Sequence, residues 1–545
     1  MNSLSSLNRQ VLLQDLSSTE YDLLIIGGGI TGAGIALDAT LRGIKTALVE
    51  MQDFSAGTSS KSTKLIHGGL RYLKQGEVRL VREVGKERAI LYRNAPHMVI
   101  PERMLLPLVE GGSFGKYGTS IGLALYDKLA SVKPGEKRRM LNRQQTIECE
   151  PLLNKDILNG GCVYSEYRTN DSRLTLEVIK TAVNYGAQAA NYLKVESLSY
   201  NNEKVVGLNC RDLLTDTVIK LKAKKIVNAS GPWVDDLRKK DNSLNNRRLH
   251  HTKGVHIVVP RERLPVSQSA YFDVFDKRMV FVIPRGKTTY IGTTDTDYNK
   301  DLVSPDVTKN DVDYLLKAAN TMFPTVELTQ EDIISSWAGI RPLIHQEGKS
   351  ASEISRKDEI FISRSGLLSI AGGKLTGFRK MAQRIVDLVI KDLNDESGVP
   401  LRPCITSETQ ISGGGIGDRK AYTLGIYKRI EPLGFEEYDA ERLVRTYGDQ
   451  SQELVNKLIE LNITDPQTDL ALIELEFIIN NESLYHLLDY FTQKTARLWF
   501  NKKAIPNLAE PIGKRMQELL GWDDEQLKEE QKSVKGALKS VVNFK

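Results

Sequence analysis

Tyr21-Asp-Leu-Leu-Ile-Ile-Gly-Gly-Gly-Ile-Thr-Gly-Ala-Gly-Ile-Ala-Leu-Asp-Ala-Thr-Leu41 and Lys45-Thr-Ala-Leu-Val-Glu50 decide the fold. The apolar run 21–26 ends in glycines, as a buried parallel strand does. From Ile30 to Leu41 the apolar spacing turns helical, and 45–50 reads as a second strand, which completes one βαβ unit. Gly27-Gly-Gly-Ile-Thr-Gly32 sits at the strand-to-helix turn and satisfies GxGxxG in the context the pattern requires. Gly27 suits the tight turn, Gly29 the approach of a pyrophosphate and Gly32 close packing of helix on strand. The helix N-terminus offers unpaired N–H groups to phosphate. Glu50, 18 residues beyond Gly32, is placed to accept hydrogen bonds from an adenosine ribose. This unit predicts a dinucleotide site without separating NAD from FAD.

The chain's 545 residues, 40% of them hydrophobic, suffice for a large core and two or three domains. The balance of 75 Lys and Arg against 69 Asp and Glu, net +6, is too mild for a nucleic-acid binder but permits anionic substrates or an anionic membrane surface. Cys149, Cys162, Cys210 and Cys404 lack CxxC spacing, which argues against zinc or iron–sulfur centres and for reduced thiols in a cytosolic compartment. The first residues, MNSLSSLNRQVLLQDL, lack the features of a signal peptide. No stretch approaches the ~18 apolar residues that span a bilayer, so membrane association is expected to be peripheral.

Further along, helical stretches such as Val78–Tyr92 alternate with β-branched runs such as Val255–Val259 and Met279–Ile283. The apolar runs before Gly231 and Gly373 break at small residues, as strands do beside a ligand, and are expected to rejoin the first sheet. Beyond about Val399 helical spacing takes over. The expected fold class is α/β, with a discontinuous dinucleotide domain (20–95, 155–245 and 335–395). An interleaved α+β substrate domain (96–154 and 246–334) and an α-helical C-terminal domain (400–545) complete it. In the last helix Lys528, Lys532, Lys535 and Lys539 follow helical spacing beside Leu527, Val534 and Leu538; a solvated charged face is the favoured reading over a membrane-surface helix.

Ser59-Ser-Lys-Ser-Thr-Lys-Leu-Ile-His-Gly-Gly-Leu-Arg-Tyr-Leu73 resembles the flavin-crossing segment of FAD-dependent, respiratory glycerol-3-phosphate dehydrogenases. Lys253–Val259, Trp337-Ala-Gly-Ile-Arg-Pro-Leu343 and Ala371-Gly-Gly-Lys-Leu-Thr-Gly-Phe-Arg379 match the same family in order. The resemblance implies a Rossmann-like FAD domain of the glutathione-reductase and D-amino-acid-oxidase type. Two places depart from the family's usual pattern: Ser355-Arg-Lys-Asp358, where Ser-Arg-Asp-His is usual, and Gly377-Phe378, where Thr-Tyr is usual.

By that resemblance FAD contacts fall to Gly27, Gly29, Gly32, Glu50, Ser59, Ser60, Thr63, Leu65, His67, Gly68, Gly231, Gly373, Leu375 and Thr376. His256 and Arg341 fall beside the reacting hydroxyl. A histidine, with an ordinary pKa of about 6.5, can take the hydroxyl proton. Arg341 would stabilise alkoxide character, and Lys374 could do the same. Arg71 and Arg356 are candidate clamps for a phosphomonoester, with Tyr72 lining the pocket. A helix from about Leu375 would aim its N-terminus at the flavin.

The implied reaction is oxidation of sn-glycerol 3-phosphate to dihydroxyacetone phosphate. FAD passes the electrons to a membrane quinone, on a cytoplasmic protein at the inner face of the cell membrane, and a homodimer is left open. Three alternatives remain: a glycerol-3-phosphate oxidase using oxygen, an FAD-dependent amine or amino-acid oxidase, and a flavoprotein regulator without catalysis. The short spacing between Arg341 and Arg356 leaves no room for an oxidase-type insertion there, and several cations in matched segments favour phosphate over carboxylate.

Overall fold

The computed structural model describes residues 4–67, 78–112, 137–345, 358–397 and 402–545. Gly68, Arg71, Tyr72, Arg356 and Lys357 lie outside these residues.

The βαβ unit forms as the pattern predicts: strand Glu20–Ile26, helix Ile30–Leu41, strand Thr46–Val49. Strand Glu20–Ile26 is the centre of a sheet whose parallel core runs Leu368–Gly372, Val218–Asn228, Glu20–Ile26, Thr46–Val49, Gln188–Ala190. The two apolar runs that break at glycine therefore do return to the first sheet. Every side chain of Leu23–Ile25 is buried, as a strand covered on both faces requires. Helix Ile30–Leu41 is nearly all small or apolar because it is sandwiched between helices Asp171–Asn184 and Phe378–Ser397. Phe378 lies on that helix so closely that a Cβ on Gly34 would be 2.7 Å from its ring. This residue, one of the departures, is thus part of the core, and around Gly377 there is open space for a side chain.

A second, mostly antiparallel sheet has ten strands among the described residues and runs from Thr296–Asp297 through Leu249–Pro260 to Leu65–Ile66. Three strands inside segments expected for the dinucleotide region, Leu65–Ile66, Leu158–Arg168 and Ser335–Ile344, pair in this second sheet. Apolar patterning reports that a strand is buried but not which sheet buries it.

The C-terminal residues form helices from Arg419–Ile430 to Asp524–Ser540 around their own apolar core. In the last helix Val534 is buried there and Leu527 packs on Gly513, while Lys532 pairs with Glu529 at the surface. The apolar face is consumed by the domain, which leaves the lysines as a solvated face. Buried ion pairs weld the domain to the first sheet: Arg173 reaches Glu482 at 2.6 Å, and Lys494 reaches Asp53 at 2.9 Å. A helix at Arg9–Ser18, which the opening polar residues do not announce, is held by Arg9 on Asp212 at 2.6 Å. All four cysteines are free, and no described helix is long and apolar enough to cross a membrane.

Candidate flavin and substrate site

A cavity of about 670 Å³ opens at the C-terminal ends of the parallel strands, the position ligands take in open α/β sheets. It runs from Gly27, Gly29 and Glu50 past Gly231 to Gly373, Lys374 and Leu375. Gly32 stands behind this wall, where a Cβ would be 1.9 Å from the carbonyl oxygen of Gly27. Only hydrogen at this position lets the helix start against the turn. Ser59 Oγ accepts a hydrogen bond from Ile30 N at 2.9 Å and so caps the helix N-terminus from across the cavity. Glu50 accepts from Gly28 N at 2.6 Å and Gln52 N at 2.8 Å, and burial raises its pKa to about 7. These groups fit a dinucleotide cofactor: glycine-lined turn, helix N-terminus and terminal carboxylate. At Gly231, with φ +58°, a Cβ would meet only open space, so backbone alone borders the cavity there.

A smaller cavity of about 230 Å³ shares Thr58, Ser62, Pro342, Gly373, Lys374 and Leu375 with the first, so the two meet at this wall. Thr63, Leu65, His67, His256, Arg341 and Thr376 all line it. Ser60 does not: its hydroxyl turns back to the carbonyls of Ala56 and Gly57, which makes it a buried brace of the turn.

His256 faces Trp337 across paired strands, and the rings stack at 4.8 Å. Its Nε2 lies 3.0 Å from Thr63 Oγ1, while Nδ1 has no hydrogen-bond partner among the described residues. Gly292 makes the room, since a Cβ there would be 2.1 Å from the imidazole. Burial, then the charges of Arg341 and Lys64, hold the His256 pKa well below the ordinary value. The ring is therefore neutral and able to accept a proton.

Arg341 reaches over Gly254, where a Cβ would be 2.3 Å from its guanidinium. It donates to Asp295 Oδ1 at 2.9 Å, Thr293 Oγ1 at 2.9 Å and the Thr294 carbonyl at 3.2 Å. Lys374 occupies the junction between strand Leu368–Gly372 and the short 3-10 turn Leu375–Gly377, and the α-helix begins only at Phe378. The helix start is thus three residues later than the sequence suggests, because the turn tightens first.

Two further cations line the same cavity, Lys61 and Arg278. Burial lowers the Lys61 pKa to about 8, and Arg278 is steadied by Asp276 at 2.6 Å. Lys61 stands inside the matched segment 59–73, where its residue type was a visible signal; Arg278 belongs to no motif. Among the described residues the wall carries four cations, Lys61, Arg278, Arg341 and Lys374, against two carboxylates, Glu166 and Asp295; Glu166 is paired with Arg88 at 3.0 Å, and Asp276 holds Arg278 from outside the wall. The surplus is positive and suits a small dianion. Asp358, at the other departure, is turned away and held by Arg384 at 2.6 Å.

His97 is a second buried neutral histidine. Burial, then Arg173, Lys180 and Arg419, lower its pKa to about 3. Both rings refuse protons that the unfolded chain accepts near its ordinary value of about 6.5. The stability this contributes is present above that pH and is lost as pH falls through and below it. Glu50, raised to about 7, acts in the opposite sense, so the ring is read by difference: between about pH 6.5 and 5 the melting temperature of the wild type is expected to fall relative to that of His97→Phe, and parallel profiles would contradict the burial of this ring.

A dinucleotide cavity beside a cationic pocket with a neutral histidine suits a dinucleotide-dependent enzyme acting on a small anion, and the family matches fix the class as FAD-dependent oxidoreductase. The model of FAD-dependent oxidoreductases matches residues 22–379, and that of the C-terminal domain of alpha-glycerophosphate oxidase matches 404–527. The aerobic glycerol-3-phosphate dehydrogenase of Bacillus subtilis is 51% identical over 96% of this chain and 95% of its own length. That of Staphylococcus aureus is 49% identical over 99% and 98%. The solved glycerol-3-phosphate dehydrogenase of Bacillus halodurans, in complex with FAD, is 43% identical, covers 99% of both chains and superposes with a TM-score of 0.84. The chain belongs to the FAD-dependent oxidoreductases and, among them, to the aerobic glycerol-3-phosphate dehydrogenase family. FAD is its cofactor.

Proposed function

We propose that the protein oxidises sn-glycerol 3-phosphate to dihydroxyacetone phosphate and passes the electrons to a membrane quinone, as a peripheral protein at the inner face of the cell membrane. The observation that carries the substrate reading is the wall that the cationic pocket shares with the dinucleotide cavity at Lys374 and Leu375. The relatives' names support the same substrate. Bound FAD supplies the two-electron acceptor.

The chain's own residues do the rest. Lys61 and Arg278 supply positive charge for the phosphate, with Arg71, Tyr72 and Arg356 as further candidates, and Lys374 supports Arg341 beside the reacting hydroxyl. Arg341 donates to the hydroxyl oxygen as negative charge develops. His256 takes the hydroxyl proton; the approach of a dianion raises its depressed pKa and strengthens it as a base at the moment of use. Trp337 and Thr63 fix the ring, which limits the orientations the substrate must find.

His256→Asn is expected to lower kcat about 10²- to 10³-fold with FAD retained; a variant within a few fold of wild type would remove His256 from the proton step. The acceptor is tested by mixing reduced enzyme with a soluble quinone or with oxygen. Faster reoxidation by quinone supports the dehydrogenase, and faster reoxidation by oxygen selects the oxidase.

A further inference from the structure

Away from the flavin, a third cavity of about 110 Å³ lies between the second sheet and the C-terminal helices. Arg168 and Arg285 enter it from the sheet side, and Arg442, Arg445 and Arg497 from the helical side. Three carboxylates meet these five guanidiniums. Glu474 is shared by Arg442 and Arg497 at 2.6 Å each, Glu441 pairs with Arg445, and Glu102 lies 3.3 Å from Arg168. Arg285 has no carboxylate within ion-pair distance among the described residues. Its guanidinium lies 4.1 Å over the Phe500 ring and donates to the Thr169 carbonyl at 3.3 Å. Nearby Asp171 is engaged by Lys64 at 2.6 Å. Arg445 Nε is buried with no hydrogen-bond partner among the described residues. Burial and the neighbouring positive charges, Arg168 first among them, lower both Arg285 and Arg445 to about 10.

Arg285 lacks a carboxylate and Arg445 leaves one guanidinium nitrogen unsatisfied, and guanidinium forks converging from two sides match a tetrahedral oxyanion. We propose that this cavity is a binding site for a phosphate-type oxyanion, which cross-links the C-terminal helices to the substrate sheet. The cavity is sized for one small anion rather than a nucleotide. None of its residues belongs to the flavin or substrate walls, so the site is independent of the catalytic reading.

The test is thermal melting of the FAD-loaded protein in millimolar inorganic phosphate against chloride at equal ionic strength. Phosphate is expected to raise Tm by about 2 °C. Arg341→Ala, which disables the catalytic pocket, keeps that gain, whereas Arg445→Gln and Arg285→Gln lose it. A parallel arm with glycerol 2-phosphate separates free phosphate, if only inorganic phosphate stabilises, from phosphomonoesters, if both do. The proposal is overturned if phosphate gives no gain, or if the gain vanishes in Arg341→Ala and survives in the two other variants. Wild-type crystals soaked in arsenate give a check that needs no variant. An anomalous peak between Arg285 and Arg445 supports the site, and one in the catalytic pocket alone overturns it.

Discussion

Arg341→Ala is expected to lower kcat/KM for glycerol 3-phosphate about 10²- to 10³-fold, the usual effect of removing a donor aimed at developing negative charge. Two losses combine. The alkoxide forming on the substrate loses its charge-assisted donor, and Asp295 loses the guanidinium that held it at 2.9 Å, so more of its negative charge faces the dianion. Both kcat and KM should therefore worsen. Arg341→Lys restores charge without the fork and should recover part of the loss. Arg341→Ala with Asp295→Asn should recover KM more than kcat, because only the repulsion is removed. FAD content is the control, since Arg341 lines only the smaller cavity. A variant with unchanged kcat would assign Arg341 to binding alone.

The second large effect is expected from Gly32→Val. A Cβ 1.9 Å from the Gly27 carbonyl oxygen cannot be accommodated by moving a side chain, because both clashing partners are backbone. The helix must retreat from the turn, and its first N–H groups move away from the phosphate position. Overpacking of this kind costs about 1–3 kcal/mol or more in a tight core. The protein should purify with little flavin and a lowered Tm, measured by flavin released on denaturation and by melting with added FAD. Full flavin occupancy in Gly32→Val would show that the turn is not where the pyrophosphate binds.

The βαβ unit was legible because its information is local: strand, glycines, helix and acid follow one another within residues 20–50. The returns of the chain at Val218–Asn228 and Leu368–Gly372 were legible for the same reason, an apolar run stopping at small residues. Membership of the second sheet was not, because Ser335–Ile344 is written like any buried strand and only long-range pairing with Leu249–Pro260 places it. His256, Arg341 and Lys374 could be named from motifs, and the structure brings all three to one cavity. Their supports were hidden. Gly254 and Gly292 make room for the arginine and the imidazole, yet in sequence they are two glycines in two strands. Arg278 and the five arginines around the third cavity carry no motif, and their meaning comes from burial and mutual distance. The N-terminal helix is not legible in the sequence because its anchor, Asp212, is some 200 residues away in the chain.

The central claim is that the cationic pocket presents glycerol 3-phosphate to the bound flavin. Anaerobic stopped-flow mixing of the FAD-loaded protein with sn-glycerol 3-phosphate tests it most directly. Rapid, saturable bleaching of the flavin absorbance, slowed about 10²-fold or more in His256→Asn and Arg341→Ala, is the predicted result. An FAD-replete enzyme that does not bleach with this substrate would contradict the assignment.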